Sequence, residues 1–416
     1  MGSLRDIALF VLTVSALTFI AFFGRLPALR HTPIGFLHRV IWTHTPNFFR
    51  RLDARLTGGR LSSSGALLSH YLLYEKHPLV IIFFLGLTTI SAFLFIRETW
   101  SRLSLTDRLL IPPVVVAPYA FTYLSNTRSP AITSANHASQ KLQYPHDHIL
   151  YHPDRICRTC HFPKPARSKH CSICSTCVAR ADHHCIWVNN CLGRGNYKYF
   201  LALLLSTAVL LAYGASLSYR VLRPQVRDSQ AGWYSRRPSA SHGSADGAFT
   251  TFNRAAVQRM NDWLDALSAA VMVGGLSVAG VGLLALLTAP LPAGLLCYHI
   301  YLIWAGMTTN ESGKWADLRD DMGDGVVWVG TRDSAEDSEE VESVGGETDE
   351  AGVEWPLRSR KIVIRTRDGA PPIFAADDET SSGVVSGSWR RCWRLAELDN
   401  IYDLGFWDNL KEVLLH

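Results

Sequence analysis

The feature that most constrains this chain is a cysteine-rich segment, residues 155–200, that runs directly into an apolar stretch. Most of the cysteines lie in this segment, and several histidines lie among them: Cys157, Cys160, Cys171, Cys174, Cys177, Cys185 and Cys191, with His161, His170, His183 and His184. The apolar run that begins at Tyr199 is long enough to enter a bilayer. The sequence therefore predicts a module rich in thiols and imidazoles at a membrane surface.

The spacing of these cysteines indicates what they are used for. They occur as CxxC pairs with neighbouring histidines, whereas the cysteines of a secreted disulfide framework are spread along the chain. This pattern is typical of metal-binding or catalytic cysteines in a reducing compartment. The formal net charge of +5 is modest for a chain of 416 residues, so it gives no reason to expect a nucleic-acid partner.

The apolar runs predict an α-helical polytopic membrane protein, a bundle of about five transmembrane helices. The cysteine-rich segment is expected to add a cytoplasmic domain of short hairpins and loops, which the ligand pattern described below predicts to be zinc-bound. The runs are residues 7–23, 78–96, 109–124, 199–219 and 266–304. The first predicts a membrane anchor, because it is longer than the apolar region of a usual cleaved signal peptide. The last is too long for one span and just long enough for two, and periodicity leaves both paths open.

The polar segments predict how the chain is divided on either side of the membrane. We expect residues 1–125 to contain three transmembrane helices and a basic cytoplasmic loop at residues 25–77. Residues 126–198 are expected to form the cytoplasmic cysteine-rich domain. Residues 199–305 are expected to contain two further transmembrane helices and a lumenal loop at residues 220–264, although the arginine excess of that loop argues against a lumenal position.

The tail, residues 306–416, is polar and is expected to be cytoplasmic. Residues 333–350 are rich in Ser, Gly, Glu and Asp without an apolar pattern, which predicts a disordered insertion. Residues 395–415 regain aromatic residues and leucines and predict an amphipathic helix that docks on the protein core or on lipid headgroups.

The cysteine-rich segment contains enough ligands for two metal ions. Thiolates at CxxC spacing can both face one Zn²⁺, and a neutral imidazole can complete a tetrahedral set. Eight ligands would form two such sites, so seven cysteines and several histidines supply both sites with one cysteine to spare. Cys297, in the last apolar run, and Cys392, alone in the tail, are interpreted as ordinary buried thiols.

The block Asp182-His183-His184-Cys185 places a carboxylate, two imidazoles and a thiol in consecutive positions. A cysteine reacts as its thiolate, a nearby imidazole can accept its proton, and a carboxylate can orient that imidazole. The block therefore predicts acyl-transfer chemistry. Adjacent side chains point in different directions, so one histidine is free to face a metal ion, and spacing alone leaves open which one.

The segment resembles the cysteine-rich domain of DHHC-type protein S-acyltransferases, which are integral-membrane palmitoyltransferases. The resemblance rests on the motifs CxxC, HCxxCxxC, DHHC, NNC and GxxNYxxF, which follow one another in fixed order over residues 157–200. The order of the spans around this segment and the motifs of the tail extend the resemblance over most of the chain.

The resemblance implies two structural Zn²⁺ ions and an acyl-enzyme reaction. The implied ligands are Cys157, Cys160, His170 and Cys177 for one ion, and Cys171, Cys174, His184 and Cys191 for the other. It also implies that Cys185 is the nucleophile, His183 the general base and Asp182 its orienting partner. In this family, a long-chain acyl group such as palmitoyl passes from acyl-CoA to the catalytic cysteine and then to a cysteine of a target protein.

Two motifs of the tail extend the resemblance. Thr308-Thr309-Asn310-Glu311 resembles the TTxE motif, which follows the last span on the cytoplasmic side, so residues 266–304 are expected to cross the membrane once. Residues 400–409 resemble the C-terminal element of the family, in which Tyr402 is expected to pack inward and Asn409 to bond the TTxE region.

One position departs from the family pattern. Most members have proline after the catalytic cysteine, whereas Ile186 stands here; no proton-transfer group is lost, so activity is expected. The motif DHHCIW resembles that of a fungal subgroup of the family, which acts at the endoplasmic reticulum on membrane-anchored targets such as SNAREs. The resemblance therefore implies a multi-pass protein of the endoplasmic reticulum membrane, or alternatively the Golgi membrane, whose partners carry juxtamembrane cysteines.

Three basic residues between the CxxC pairs, Lys164, Arg167 and Lys169, are candidates to contact the phosphates of coenzyme A. Contact with anionic lipid headgroups is the alternative. The acyl chain needs a dry site among the spans, since leaving about fourteen methylenes in water would cost about 0.8 kcal/mol each.

A different class of function also fits a membrane-anchored zinc module, namely a RING-like or scaffold protein that binds a partner without acyltransferase activity. RING domains arrange their ligand pairs in a cross-braced order with a long gap and have no use for a block such as residues 182–185. A nucleic-acid finger needs a base-contacting helix after its ligands, and here an apolar run follows instead.

Overall fold

The structure is a computed structural model, and it describes residues 32–153, 155–234, 264–331, 361–372 and 389–415, together with Thr13, Leu17, Ile20 and Met260. The predicted first span, residues 7–23, and the predicted acidic insertion, residues 333–350, lie outside the described residues, apart from the three isolated positions in the former. The chain divides into two compact units, Met1–His77 and Pro78–His416.

The described part of the first unit is helical. The expected loop at residues 25–77 contains three helices: α1 (Pro33–Arg39), α2 (Thr45–Leu56) and α3 (Arg60–Tyr74). The carboxylate of Asp53, near the end of α2, accepts hydrogen bonds from the backbone amides of Leu61 (3.3 Å) and Ser62 (2.7 Å). These amides are unpaired donors of the first turn of α3, so Asp53 caps α3 and joins α2 and α3 into a helical hairpin.

Four helical segments of the described residues are long and apolar enough to cross a membrane: Leu79–Arg102, Leu105–Thr127, Tyr197–Asp228 and Leu264–Trp304. The helices of these segments are α4 (Leu79–Thr99), α5 (Leu105–Thr127), α7 (Tyr197–Tyr234), α8 (Val281–Thr288) and α9 (Pro290–Trp304), of which α7 extends beyond its apolar segment. The expectation of an α-helical membrane protein is confirmed. Helix α5 is longer than the predicted run and keeps its three prolines within the helix.

Helix α7 is the centre of the bundle, and α5, α8 and α9 pack against it. At one end, Val278 packs in an apolar cluster with Leu222 and Phe95. At the other end, Ile303 packs with Phe200 next to the cysteine-rich domain. The last apolar run therefore passes along the bundle once between these two clusters. On which side of a membrane each end lies stays a prediction.

The prediction of an irregular loop from residue 220 is wrong for its first part, because α7 continues as a helix through Tyr234. Arg220 in this extension donates a hydrogen bond of 2.8 Å to the carboxylate of Asp107, in the first turn of α5. This ion pair ties the extension to the bundle, which the sequence pattern of a polar segment does not indicate. Residues 235–259 of the predicted loop lie outside the described residues.

The cysteine-rich domain consists of two small antiparallel sheets joined by loops and one short helix, α6 (His137–Leu142). The first sheet has the order β1–β3–β2, and the second pairs β4 with β5. The strands are β1 (Ala131–Ile132), β2 (Lys169–Cys171), β3 (Thr176–Val178), β4 (His184–Cys185) and β5 (Asn190–Cys191). Strands this short bury little apolar surface, so other contacts must stabilise them.

The tail contains a sheet that the sequence did not predict. Helix α10 (Thr309–Gly323) is followed by strands in the order β7–β6–β8, where β6 is Val327–Thr331, β7 is Lys361–Arg365 and β8 is Arg390–Arg391. Their apolar side packs on Leu318 and Met322 of α10. The predicted terminal helix begins later than expected, as α11 (Phe406–Leu415), and packs against α9 and α7.

Gly306, between α9 and α10, is a position where a side chain cannot be accommodated. Its φ is +61°, and a Cβ there would lie 2.5 Å from the Cα of Asp403. We expect Gly306→Ala to destabilise the protein by about 2 kcal/mol or more, because the left-handed backbone and the clash with the tail both oppose the methyl group. Thermal unfolding of detergent-solubilised protein measures this. The matched control is Gly313→Ala in α10, where a Cβ meets nothing within 4 Å; an equal loss of stability there would contradict the explanation.

Candidate active site and metal centres

The first predicted ligand set is gathered in one place. The Sγ atoms of Cys160, Cys157 and Cys177 lie 3.4, 3.6 and 3.9 Å from Nδ1 of His170. In a tetrahedral zinc site with bonds of about 2.3 Å, ligand atoms lie about 3.7 Å apart. The separations therefore fit a single Zn²⁺ ion. The β2–β3 hairpin positions half of the set, because its register places His170 directly opposite Cys177.

The second predicted set forms a similar cluster. The Sγ atoms of Cys174, Cys191 and Cys171 lie 3.4, 3.6 and 3.8 Å from Nδ1 of His184. All the ligand atoms in each cluster lie within 4.8 Å of one another. Three thiolates and one imidazole are a donor set that Zn²⁺ prefers, so both clusters fit this ion by chemistry as well as by distance.

Strand alternation explains how adjacent residues reach different places. Successive side chains of a β-strand point to opposite faces. On β2, His170 therefore joins the first cluster and Cys171 the second. On β4, His184 joins the second cluster while Cys185 points away from it and belongs to neither cluster. The geometry thus brings His184 to the metal cluster and leaves His183 available for proton transfer, a choice that spacing alone left open.

Cys185 lies at the end of the helix bundle, in an apolar environment. It is 5% exposed and packs in a cluster with Val188, Leu192 and Phe200. The turn that follows β4 carries Ile186, which is 53% exposed. The thiol is therefore held at the boundary between the cysteine-rich domain and the apolar helices.

Asp182 and His183 form a hydrogen-bonded pair beside this thiol. Nδ1 of His183 donates to Oδ2 of Asp182 at 2.6 Å, so Nε2 is the nitrogen that remains to exchange a proton with the thiol. Burial lowers the pKa of His183, but the bond to Asp182 and the adjacent Cys185 thiol outweigh it and raise this pKa to about 9. Burial raises the pKa of the Asp182 carboxyl, yet the hydrogen bonds from His183 and from the Thr309 amide hold it below its usual range. The pair is suited to accept the thiol proton.

The TTxE segment contacts this carboxylate directly. The backbone amide of Thr309 donates to Oδ1 of Asp182 at 2.7 Å, and its hydroxyl donates to Oδ2 at 3.0 Å. Thr308 donates its hydroxyl to the carbonyl of Ala181 at 3.0 Å. Thr308 and Glu311 also form a capping box at the start of α10. The N-terminus of this helix therefore holds the segment that leads into β4.

Arg167 is placed differently from the prediction. Its side chain is 1% exposed, and its guanidinium donates to both carboxylate oxygens of Glu311, at 2.8 and 2.7 Å. A buried guanidinium with this partner cannot reach a phosphate group, so the expected contact between Arg167 and coenzyme A is wrong. Burial opposes the charge of Glu311, but Arg167 holds the pKa of this carboxyl below its usual range. Lys164 is half-buried and Lys169 exposed, so their expected role stays a prediction.

The C-terminal element agrees with one expectation and contradicts another. Tyr402 is buried, and its hydroxyl donates to the carbonyl of Pro145 at 2.7 Å. The expected bond from Asn409 to the TTxE region is wrong, since its amide donates to Asp403 at 2.9 Å within the same segment. Asn400 links the element to the end of α9, because its amide donates to the carbonyl of Ala305 at 3.1 Å.

Two asparagines of the quoted motifs have a role that the sequence reasoning did not assign. The amide of Asn190 donates to the carbonyls of Asn126 and Arg128, both at 3.0 Å, and the amide of Asn196 donates to Arg128 at 3.1 Å and to Cys191 at 2.8 Å. The last carbonyls of a helix have no partner within it. These amides supply partners at the end of α5 and fasten the β4–β5 hairpin to the bundle.

Comparisons with known proteins agree with this geometry. The family model described as DHHC palmitoyltransferase matches residues 150–316. The chain is similar to Palmitoyltransferase SWF1 of Neurospora crassa, 41% identical over 100% of this chain and 93% of that protein. It is also similar to Palmitoyltransferase swf1 of Emericella nidulans, 43% identical over 99% and 97% of the two chains. Palmitoyltransferase ZDHHC4 of Mus musculus is 32% identical over 60% of this chain and 70% of that protein.

Thr309→Val tests the contact between helix α10 and the catalytic carboxylate. The variant loses the hydroxyl bond to Asp182 but keeps the backbone bond, so we expect the acylation rate to fall about ten-fold, since a hydrogen bond to a charged group contributes about 1.5 kcal/mol or more. Thr309→Ser keeps the hydroxyl and is the matched control. Labelling of the enzyme with a clickable fatty acyl-CoA measures both rates. A Thr309→Val rate equal to that of Thr309→Ser would show that the hydroxyl does not contribute.

Proposed function

The chain belongs to the DHHC palmitoyltransferase family and is a protein S-acyltransferase, and on that premise we propose a two-step transfer through Cys185. A long-chain acyl group, palmitoyl in the first instance, passes from acyl-CoA to Cys185 and then to a cysteine of a target protein. One observation carries this proposal: among the seven cysteines of the segment, Cys185 belongs to neither metal cluster and lies beside the Asp182–His183 pair. A zinc module without acyltransferase activity does not fit the family.

In the first step, Nε2 of His183 accepts the thiol proton of Cys185, and the thiolate attacks the carbonyl carbon of acyl-CoA. The bond between the acyl carbon and the sulfur of coenzyme A breaks as the bond to Cys185 forms. His183 returns the proton to the departing thiolate of coenzyme A. One thioester replaces another, so no external energy source is needed. Asp182 stabilises the imidazolium that exists between the two proton transfers.

In the second step, the same groups act in the opposite direction. His183 accepts the proton of the target thiol, whose sulfur attacks the acyl carbon on Cys185. Cys185 leaves as a thiolate and regains its proton from His183. The apolar cluster around Cys185 includes Ile303 of α9 and Phe200 of α7, which supports placement of the acyl chain among the span ends. Burial of the chain there stabilises the acyl-enzyme at about 0.8 kcal/mol per methylene.

The two metal clusters are proposed to bind structural Zn²⁺. The ligands would be Cys157, Cys160, His170 and Cys177 in one site, and Cys171, Cys174, His184 and Cys191 in the other. Zinc would supply folding free energy to strands that are too short to form a core of their own. The ligand residues His170 and Cys177 pair β2 with β3, and His184 and Cys191 pair β4 with β5, which sets the position of Cys185.

The remaining parts of the proposal concern where the enzyme works and what it binds. Lys164 and Lys169 are proposed to contact the phosphates of coenzyme A; Lys164 is half-buried and Lys169 exposed on the cysteine-rich domain. The position of Cys185 supports target proteins that present a cysteine close to the bilayer, such as membrane-anchored SNARE-type proteins. The proposed location is the endoplasmic reticulum membrane with a cytoplasmic active site; the Golgi membrane is the alternative.

Cys185→Ser tests the nucleophile. Wild-type enzyme incubated with alkyne-labelled palmitoyl-CoA alone is expected to form a hydroxylamine-sensitive adduct, which a peptide with a free cysteine then discharges. Cys185→Ser is expected to form none, because a serine hydroxyl is a far weaker nucleophile and cannot form a thioester. The control is Cys297→Ser, which should label like the wild type. Cys297 is exposed on α9, so the expectation that it is a buried thiol is wrong. A hydroxylamine-sensitive adduct on Cys185→Ser would refute the assignment.

Removal of the metal tests the structural role of the clusters. Purified protein is expected to contain two zinc ions per chain, and a strong chelator should lower the thermal midpoint and abolish acylation together, because ligation stabilises the fold around Cys185. Cys174→Ser should lose metal and stability, whereas Cys297→Ser keeps both ions. Elemental analysis and thermal unfolding provide the two measurements. Full stability and activity after complete zinc removal would contradict a structural role.

A further inference from the structure

His299 is a buried histidine next to the catalytic pair, and the two-step reaction gives it no chemical role. It is 1% exposed and lies in α9, one of the bundle helices. Its ring stacks against that of His183, with centroids 6.0 Å apart and planes inclined by 23°. Phe200 presents an edge-to-face contact to both rings, at 5.7 Å from His183 and 5.2 Å from His299. His183 is thus confined by two aromatic neighbours.

His299 is itself anchored by a hydrogen bond. The hydroxyl of Tyr197, at the start of α7, lies 2.8 Å from its Nδ1. The guanidinium of Arg180 lies 5.4 Å from the centre of the Tyr197 ring, and Arg180 forms an ion pair of 2.8 Å with Glu412 of α11. The tyrosine that anchors His299 is therefore held in turn by the cysteine-rich domain and the terminal helix.

The stacked ring of His299 restricts a motion of the His183 ring that the hydrogen bond to Asp182 does not restrict. The hydrogen bond to Asp182 fixes one nitrogen of His183, but the ring can still tilt about the axis of that bond. A tilt moves Nε2 away from the sulfur of Cys185, and small misplacements of reacting groups slow a reaction strongly. A flat ring of fixed orientation against the face of His183 removes this freedom.

We propose that His299 is a positioning residue: Tyr197 fixes the plane of the His299 ring, and the face of His299 fixes the plane of His183. The proposal rests on the proposed roles of His183 and Cys185 and adds to them a residue from a membrane-spanning helix. Since neither Tyr197 nor His299 contacts the departing coenzyme A in this scheme, their loss affects the limiting rate of acylation and leaves the KM for acyl-CoA unchanged.

The test uses the full-length protein in detergent with palmitoyl-CoA as the probe, and measures the limiting rate of Cys185 acylation and the KM. Tyr197→Phe and His299→Phe each remove one partner of the hydrogen bond between Tyr197 and His299 and keep an aromatic ring at the changed position. Each variant is expected to lower the limiting rate between about five-fold and a hundred-fold with KM within about two-fold of the wild type. The double variant is expected to be no slower than the slower single variant, because both changes break the same contact.

His299→Asn separates the stacked ring from the hydrogen bond. The amide can still pair with the Tyr197 hydroxyl but presents no ring to His183, so this variant is expected to be as slow as His299→Phe. The matched control is Tyr301→Phe, the same change at an exposed tyrosine of α9, with a rate equal to the wild type. Zinc content and the thermal midpoint are measured for every variant.

The proposal would be overturned by single-variant rates within about two-fold of the wild type, by losses that multiply in the double variant, or by a wild-type rate for His299→Asn. A rate loss that follows a loss of zinc or a change in KM would also overturn it, because that is the behaviour of a structural residue. Tyr197→Phe removes a single oxygen atom and so carries the test if a His299 variant fails to fold. Cys185→Ser, run beside them, reports separately on the acyl-enzyme itself.

Discussion

The hydrogen bonds to the carboxylate of Asp182 are the contacts on which the rest of the candidate active site depends. This carboxylate accepts a hydrogen bond from His183 and two from Thr309, so one charged group joins the segment that leads into β4 to the first turn of α10. The N-terminus of a helix carries a partial positive charge and unpaired amides, which stabilise an anion placed there. The TTxE motif therefore contacts the Asp182 carboxylate directly, although the two are separated by more than a hundred residues of chain.

The metal clusters and the asparagine amides then determine where this carboxylate lies. Alternation along β2 and β4 sends neighbouring residues to different clusters, which locks both hairpins relative to each other. Asn190 and Asn196 bind the carbonyls that end α5, so the cysteine-rich domain is attached to a bundle helix by hydrogen bonds as well as by chain connection. The sulfur of Cys185 is thus placed at the bundle end by rigid elements and not by a flexible loop.

Buried ion pairs fasten the tail to this core. Arg167 pairs with Glu311, and Arg180 pairs with Glu412, with all four side chains almost inaccessible to solvent. Removing one partner from such a pair leaves a buried charge uncompensated and typically costs about 3–5 kcal/mol. The position of Arg167 over the ring of Tyr402, 4.5 Å from its centre, adds a cation–π contact with the C-terminal element. The distant C-terminal residues are therefore part of the framework of the active site.

Much of the active site could be predicted from the sequence because its chemistry is local. The DHHC block occupies consecutive residues, and the CxxC pairs form turns whose geometry depends on few neighbours. The apolar runs are similarly local signals, and the four spans within the described residues appear close to where they were expected. Errors appear where a polar segment is held by a distant partner, as with the extension of α7 by the Asp107–Arg220 pair.

The sequence by itself determined the ligand types, the single spare thiol beside an imidazole and a carboxylate, and the helical membrane class, since each depends on residue type and short-range spacing. Only the tertiary structure decided that Arg167 is an internal partner of Glu311 instead of a phosphate ligand. The sequence cannot distinguish these two roles of an arginine, because they differ in burial and in the partner that folding brings close. The same holds for His299. The sequence shows only a histidine in an apolar run, and its stacking against the ring of His183 exists only in the folded chain.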